Sequence, residues 1–152
     1  MRAVPGMTLC RKDTHFGNVL LTHYPVHHIH RLDLSVKGRE PRGAIMASVE
    51  VARLPIRVIA THLGLKRDER RHQVRQILNE LRSDDPGVTL LLGDLNEWDP
   101  FGMVSRFLRI HFGKAGSPPL IRPISQYCRW IASWCGRRAP AKPSRPSEPD
   151  RR

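Results

Sequence analysis

VTLLLGDLNEWDP, residues 88–100, passes from five apolar or β-branched residues (Val88 to Leu92) straight into Gly93, Asp94, Leu95, Asn96 and Glu97. A short apolar run after Asp84-Asp85-Pro86-Gly87 predicts a buried strand with an abrupt end. Asp94 and Asn96 stand two apart at its mouth. In extended chain such side chains share a face, so a carboxylate and a carboxamide would converge on one spot. Hard oxygen donors of this type suit Mg²⁺, which keeps several waters and phosphate oxygens. Gly93 allows a tight turn or the close approach of a ligand. The same residues also make an ordinary turn after a strand.

Upstream, RDERRHQVRQILNELRS (67–83) carries Val74, Ile77, Leu78 and Leu81 at the spacing of one buried helical stripe. Asp68 and Glu69 near its start suit the helix dipole, and Asp-Asp-Pro-Gly ends it. Arg67, Arg70, Arg71 and Arg75 fall on its polar side and read as surface. Before the helix, IRVIATHL (56–63) and AIMASVEVA (44–52) read as strands, and the short RLP link predicts an antiparallel hairpin. In the second of these, Ile45, Ala47, Val49 and Val51 share one face, and Met46, Ser48 and Glu50 the other. GNVLLTHYPV (17–26) and VHHIHRLDL add two more strands, broken near Pro25. A short helix is expected around 100–110. Hairpin, helix and buried strand together indicate an α/β arrangement with helices packed on sheets.

His62 is the second candidate for chemistry. It ends the strand 56–61, where a histidine can contact a phosphate or shuttle a proton near neutral pH. His23, His27, His28 and His30 resemble metal spacing but lack a cysteine or carboxylate partner, so they read as a solvated strand face. Arg39 and Arg42, flanking Glu40-Pro41, offer a guanidinium fork for phosphate, or a solvated loop cluster.

A net charge of +12, from 26 Lys and Arg against 14 Asp and Glu, favours polyanionic partners: nucleic acid, phosphorylated metabolites or an acidic membrane face. Part of the surplus lies in GRRAPAKPSRPSEPDRR from Gly136, whose Pro, Arg and Ser content predicts disorder. Cys10, Cys128 and Cys135 form no CxxC pair, and no targeting segment or long apolar run is visible. Reduced thiols, a cytoplasmic setting and no transmembrane segment are the expectation.

Taken together, HFGNVLLTHYPV, LDLSVKGREPRGAI, IRVIATHL and LLLGDLNEW follow the order found in the endonuclease/exonuclease/phosphatase family, and residues 7–112 resemble the middle of such a DNase-I-like domain. The pairing of TH with GD-x-N across a helix carries the resemblance. It implies a four-layered α/β (α+β) sandwich, two mixed sheets face to face with helices outside. It also implies hydrolysis of phosphate esters, of nuclease or phosphodiesterase type, assisted by Mg²⁺ or Mn²⁺. By that resemblance Asp94 orients or deprotonates the attacking water, and Asp94 and Asn96 help hold metal. His62 contacts the scissile phosphate, and Arg39 or Arg42 binds phosphate. The expected partner is a phosphate-ester substrate, nucleic acid among the candidates. A basic nucleic-acid-binding module without catalysis is the alternative. Against it, aromatic residues are only 6% and do not interleave with the basic ones.

Two departures from the family pattern stand out. Nothing before Leu9 supplies its early Asn or its metal-binding Glu, and no Asp-His pair follows Asn96. Residues 1–112 therefore read as an incomplete domain with impaired catalysis, and 113–152 as a divergent or frame-shifted tail, disordered in expectation. The frame shift has a specific motive. Joining the third base of each codon to the first two of the next, Tyr127-Cys128 forces Leu, Trp130-Ile131 forces Asp and Trp134-Cys135 forces Val. The neighbouring codons permit the L-D-R-I-x-V strand that such relatives carry near their end. A decayed reading frame without function is the corresponding third reading.

Overall fold

The computed structural model describes residues 1–11, 14–81, 88–99 and 101–112, and the backbone of 132–137. In chain order the elements are β1 (Arg2–Arg11), β2 (Thr14–Thr22), β3 (Val26–Asp33), β4 (Gly43–Val51), β5 (Leu54–His62), α1 (Arg67–Glu80), β6 (Val88–Asp94), α2 (Met103–Phe112) and β7 (Ala132–Arg137). β1 and β2 form an antiparallel pair. The other five strands form one mixed sheet in the order β3-β4-β5-β6-β7. Only β5 and β6 run parallel in it, and the chain between them passes through α1, as a parallel connection requires.

The expected hairpin is β4–β5, with Val51 opposite Leu54. Its turn is Ala52-Arg53, both at positive φ (50° and 65°), the hand that matches strand twist. Leu54 and Pro55, read from sequence as part of the link, therefore belong to the strand. β4 is buried on both faces. Ile45, Ala47 and Val49 pack with Val4, Leu20, Val26 and Val58 beneath the β1–β2 pair. Ala44 and Met46 pack with Ile59, Leu91, Val74 and Ile77 beneath the helices. The second face, with its polar Ser48 and Glu50, is thus apolar where α1 covers it. At Gly6 the hairpin approaches so closely that an added Cβ would strike the Ile45 side chain.

α1 buries Val74 and Ile77 as its stripe predicts, and α2 buries Val104, Leu108 and Phe112 at four-residue spacing. The α+β class and the mixed sheet agree with expectation. Among the described residues three layers are present: the antiparallel pair, the mixed sheet, and helices on one side. β1 was not foreseen from sequence. The outer face of the β1–β2 pair leaves Met7, Val19 and Leu21 exposed.

Within the stretch 113–152 read as a disordered tail, 132–137 instead form β7, antiparallel to β6 from Val88–Arg137 to Gly93–Ala132. Ladder pairing is made by backbone groups, so the composition of the segment gave no sign of it. The rest of that stretch, and with it most of the frame-shift reading, lies outside the described residues. No helix among the described residues is long and apolar enough to cross a membrane.

Candidate active site

β5 and β6 pair in parallel with His62 opposite Asp94, so the last residues of two neighbouring strands stand side by side. The carboxyl ends of parallel strands are where α/β sheets collect ligand-binding side chains. Gly93 makes this junction possible. Its φ is +134°, and an added Cβ would run into the Thr61 carbonyl oxygen of β5. The Leu63 N–H donates to the Asp94 carbonyl at 2.9 Å, extending the pairing one residue past the strand.

His62 lies between a carboxylate and a guanidinium. Its Nε2 is 3.7 Å from Asp94 Oδ2, and its Nδ1 is 3.1 Å from Arg42 Nη1. A guanidinium nitrogen can only donate. His62 Nδ1 therefore accepts, and the neutral ring carries its proton on Nε2, towards Asp94. The Arg42 side chain is 11% exposed and its Nη2 donates to Glu40 Oε2 at 2.8 Å. Its Nε is buried with no hydrogen-bond partner, a donor that costs about 1–3 kcal/mol while unmet.

Arg42 is held by what surrounds the start of β4. The Gly43 carbonyl accepts from Asn18 Nδ2 at 2.9 Å and from Thr61 Oγ1 at 3.0 Å. Strand β2 is thereby tied to the site. A cleft of about 210 Å³ opens here, lined by Thr8, Phe16, Asn18, Glu40, Arg42 and His62 among others. Arg39 does not line it. Its Nη2 lies 3.9 Å from Asp68 Oδ2 at the start of α1, so the expected fork of Arg39 with Arg42 is not formed. The loop turns just before Arg39, with a positive φ of 75° at Gly38 and the Arg39 N–H donating to the Val36 carbonyl.

Asn96 departs from the expected geometry. The chain leaves extended conformation after Asp94 and Asn96 takes φ +49°, so the two side chains do not share a strand face. Asp94 Oδ1 instead accepts the Asn96 N–H at 2.9 Å, the turn that Asp often makes after a strand. The Asn96 side chain is buried, and its Nδ2 donates to the Leu63 carbonyl at 2.7 Å. It clamps the residue after His62 to the turn that follows Asp94, and its carboxamide oxygen is what it has to offer a cation.

Among the described residues no group of three or more His, Cys, Asp or Glu side chains gathers to hold a metal ion. Mg²⁺ is commonly held by one or two carboxylates together with phosphate oxygens and water. Asp94, 17% exposed, offers one such carboxylate, and the described residues form no cage around it. His23, His27, His28 and His30 are exposed, the solvated face expected of them.

Sequence reasoning missed Asn18, Gln73 and the Arg70–Glu97 pair. Gln73 is fully buried, accepts the Gly64 N–H at 2.8 Å and donates to the Leu34 carbonyl at 3.1 Å, fixing the loop that follows His62. Arg70, read as surface, is buried. Its Nη2 lies 3.8 Å from Glu97 Oε1, and its Nη1 donates to the Leu65 carbonyl at 2.6 Å. Both residues lie on the Val74–Ile77 stripe at helical spacing, and that periodicity was the available signal.

No family model matches the chain. It is 35% identical over 98 residues to YbhP, an uncharacterized protein of Escherichia coli K12, a match covering 61% of this chain and 38% of YbhP. The chain thus spans well under half the length of the curated relative it matches. Among solved structures it is similar to the catalytic domain of human Nocturnin with bound sulfate. The TM-score is 0.63 at 13% identity, over 89% of this chain and 60% of that one. It is also similar to a mannosyl-6-phosphatase of Bacteroides thetaiotaomicron, with TM-score 0.62 at 11% identity, over 89% and 62% of the two chains. Likeness at such identities shows the fold: the chain has a DNase-I-like α+β fold, shared with phosphate-ester hydrolases.

Proposed function

We propose that the cleft at the ends of β5 and β6 binds a phosphate ester and hydrolyses it with the help of Mg²⁺ or Mn²⁺. One observation carries the reading: His62 and Asp94 end the adjacent parallel strands β5 and β6, and Arg42, just before the start of β4, stands on the other side of His62. A phosphate oxygen would supply the acceptor that the buried Arg42 Nε lacks.

In this reading the His62 Nε2–H donates to a phosphate oxygen and stabilises the charge gathering on it. Asp94 orients the attacking water and accepts its proton. Asn96 keeps the two strand ends in register. Asp94 and the Asn96 oxygen are the residues that would hold the cation, whose contribution when bound is to offset negative charge on the phosphate.

The test is hydrolysis of bis-p-nitrophenyl phosphate with Mg²⁺ or Mn²⁺, beside Asp94→Ala. Metal-dependent release of nitrophenol that disappears in the variant supports the assignment. Release that persists in the variant overturns it.

A further inference from the structure

We propose that the groove between α1 and α2, outside the cleft, binds single-stranded nucleic acid. Arg67, Arg71 and Arg75 follow one another at four-residue spacing, so they form one exposed row along α1, with roughly 6 Å of rise per step. Facing them from the other helix and the turn before it are Arg106, Phe107 and Phe101. The space that Arg67 and Arg71 enclose with them is about 500 Å³. Phe101 is 77% exposed, and the Arg75 guanidinium lies 5.5 Å from the Phe107 ring centre.

The acidic side chains nearby are engaged locally. Glu97 faces the buried Arg70, Asp68 lies against Arg39, and Asp99 Oδ1 accepts the Phe101 N–H at 2.8 Å. The groove therefore presents a cationic row beside an exposed aromatic ring, Phe101, with the Arg109 guanidinium 5.8 Å from its centre. That is the combination by which single strands are held, phosphates on arginine and bases on aromatic faces. The chemistry selects among polyanions. A duplex keeps its base faces stacked inside and offers Phe101 nothing to stack on. A bilayer is flat, whereas these arginines line a concave groove.

Both walls leave the strands that carry the site, α1 just after His62 and the 101–110 segment just after Asn96. A strand held here would pass the ends of β5 and β6. Binding itself does not depend on hydrolysis.

The test uses the full chain and a fluorescein-labelled oligothymidylate of about twelve nucleotides, within the site sizes of single-strand binders. EDTA is included so that hydrolysis does not intervene, and anisotropy is read at several salt concentrations. Binding should weaken with salt. R67E/R71E/R106E should weaken it at least about tenfold and flatten the log–log salt slope by about 2, the yield of three phosphate contacts on a single strand. Phe101→Ala should weaken binding and leave the slope unchanged. An unchanged affinity in the triple variant would overturn the proposal and assign binding to the basic residues after Gly136. Capture by phosphatidylserine vesicles without oligothymidylate binding would also overturn it. So would a duplex that binds as tightly while Phe101→Ala has no effect.

Discussion

The Arg42 guanidinium faces His62 Nδ1 at 3.1 Å, and so decides which ring nitrogen carries the proton. If that contact sets the direction of the His62 donor, Arg42→Met should lower kcat for bis-p-nitrophenyl phosphate by about 100-fold, the lower end of what a positioned proton donor contributes. Arg42→Lys should recover part of it. The ¹⁵N spectrum of His62 supplies a readout that simple loosening of the loop would not move: the Nε2–H tautomer should give way to a mixture in Arg42→Met. An unaltered spectrum would contradict the assignment.

Gly93→Ala tests the parallel junction. The new methyl group meets the Thr61 carbonyl oxygen, and φ of +134° is one that side chains rarely adopt. Backbone strain alone amounts to about 1–3 kcal/mol, and the clash adds to it. Urea unfolding should show a loss of at least about 2 kcal/mol on that basis. A midpoint like that of the parent would show that the strands can separate here without cost.

Glu97→Ala should destabilise by about 3–5 kcal/mol, because it strands the buried charge of Arg70. Double substitution to Arg70→Met with Glu97→Leu should recover much of the loss. A single variant as stable as the parent would mean that solvent reaches Arg70 freely.

The Asp33 carboxyl is held below the usual carboxylate range, first by the hydrogen bond from the Ser35 side chain and then by that from its backbone N–H. Its folded pKa therefore lies under its unfolded one. The resulting stability is fully present above the unfolded value and is lost as pH falls through the folded value. Thermal unfolding of the parent and Asp33→Asn should differ more at pH 6 than near pH 3. The effect is small because Asp33 is exposed. A gap that widened on acidification would refute the linkage.

The difference between what was legible and what was hidden follows the range of the interactions. Val74 and Ile77, Gly93, and the alternation of Ile45, Ala47 and Val49 report local conformation and burial, and each lies where its pattern indicates. The THL and GDLN segments flank a helix, which is how a chain joins two parallel strands, so the approach of His62 to Asp94 was foreseeable. The arrangement of Asn96 was not, because an i, i+2 rule holds only while the chain stays extended, and Asn96 lies in a turn.

Other features depend on partners distant in sequence. Whether Arg42 or Arg39 enters the cleft is decided by the loop between Asp33 and Gly43 and by Asn18 and Thr61 on other strands. Arg70 looks like any exposed helix arginine until Glu97 and the Leu65 carbonyl are brought to it. Arginines on α1 and aromatics near α2 do not interleave in the chain, yet they line one groove. The sequence by itself determined strands β2 to β6 and the buried helix stripe, and set His62 and Asp94 at the ends of two of those strands, because periodicity and strand ends are written locally. Only the tertiary structure decided which arginine orients His62, where Asn96 points and what faces the α1 arginines, because each depends on packing between distant segments.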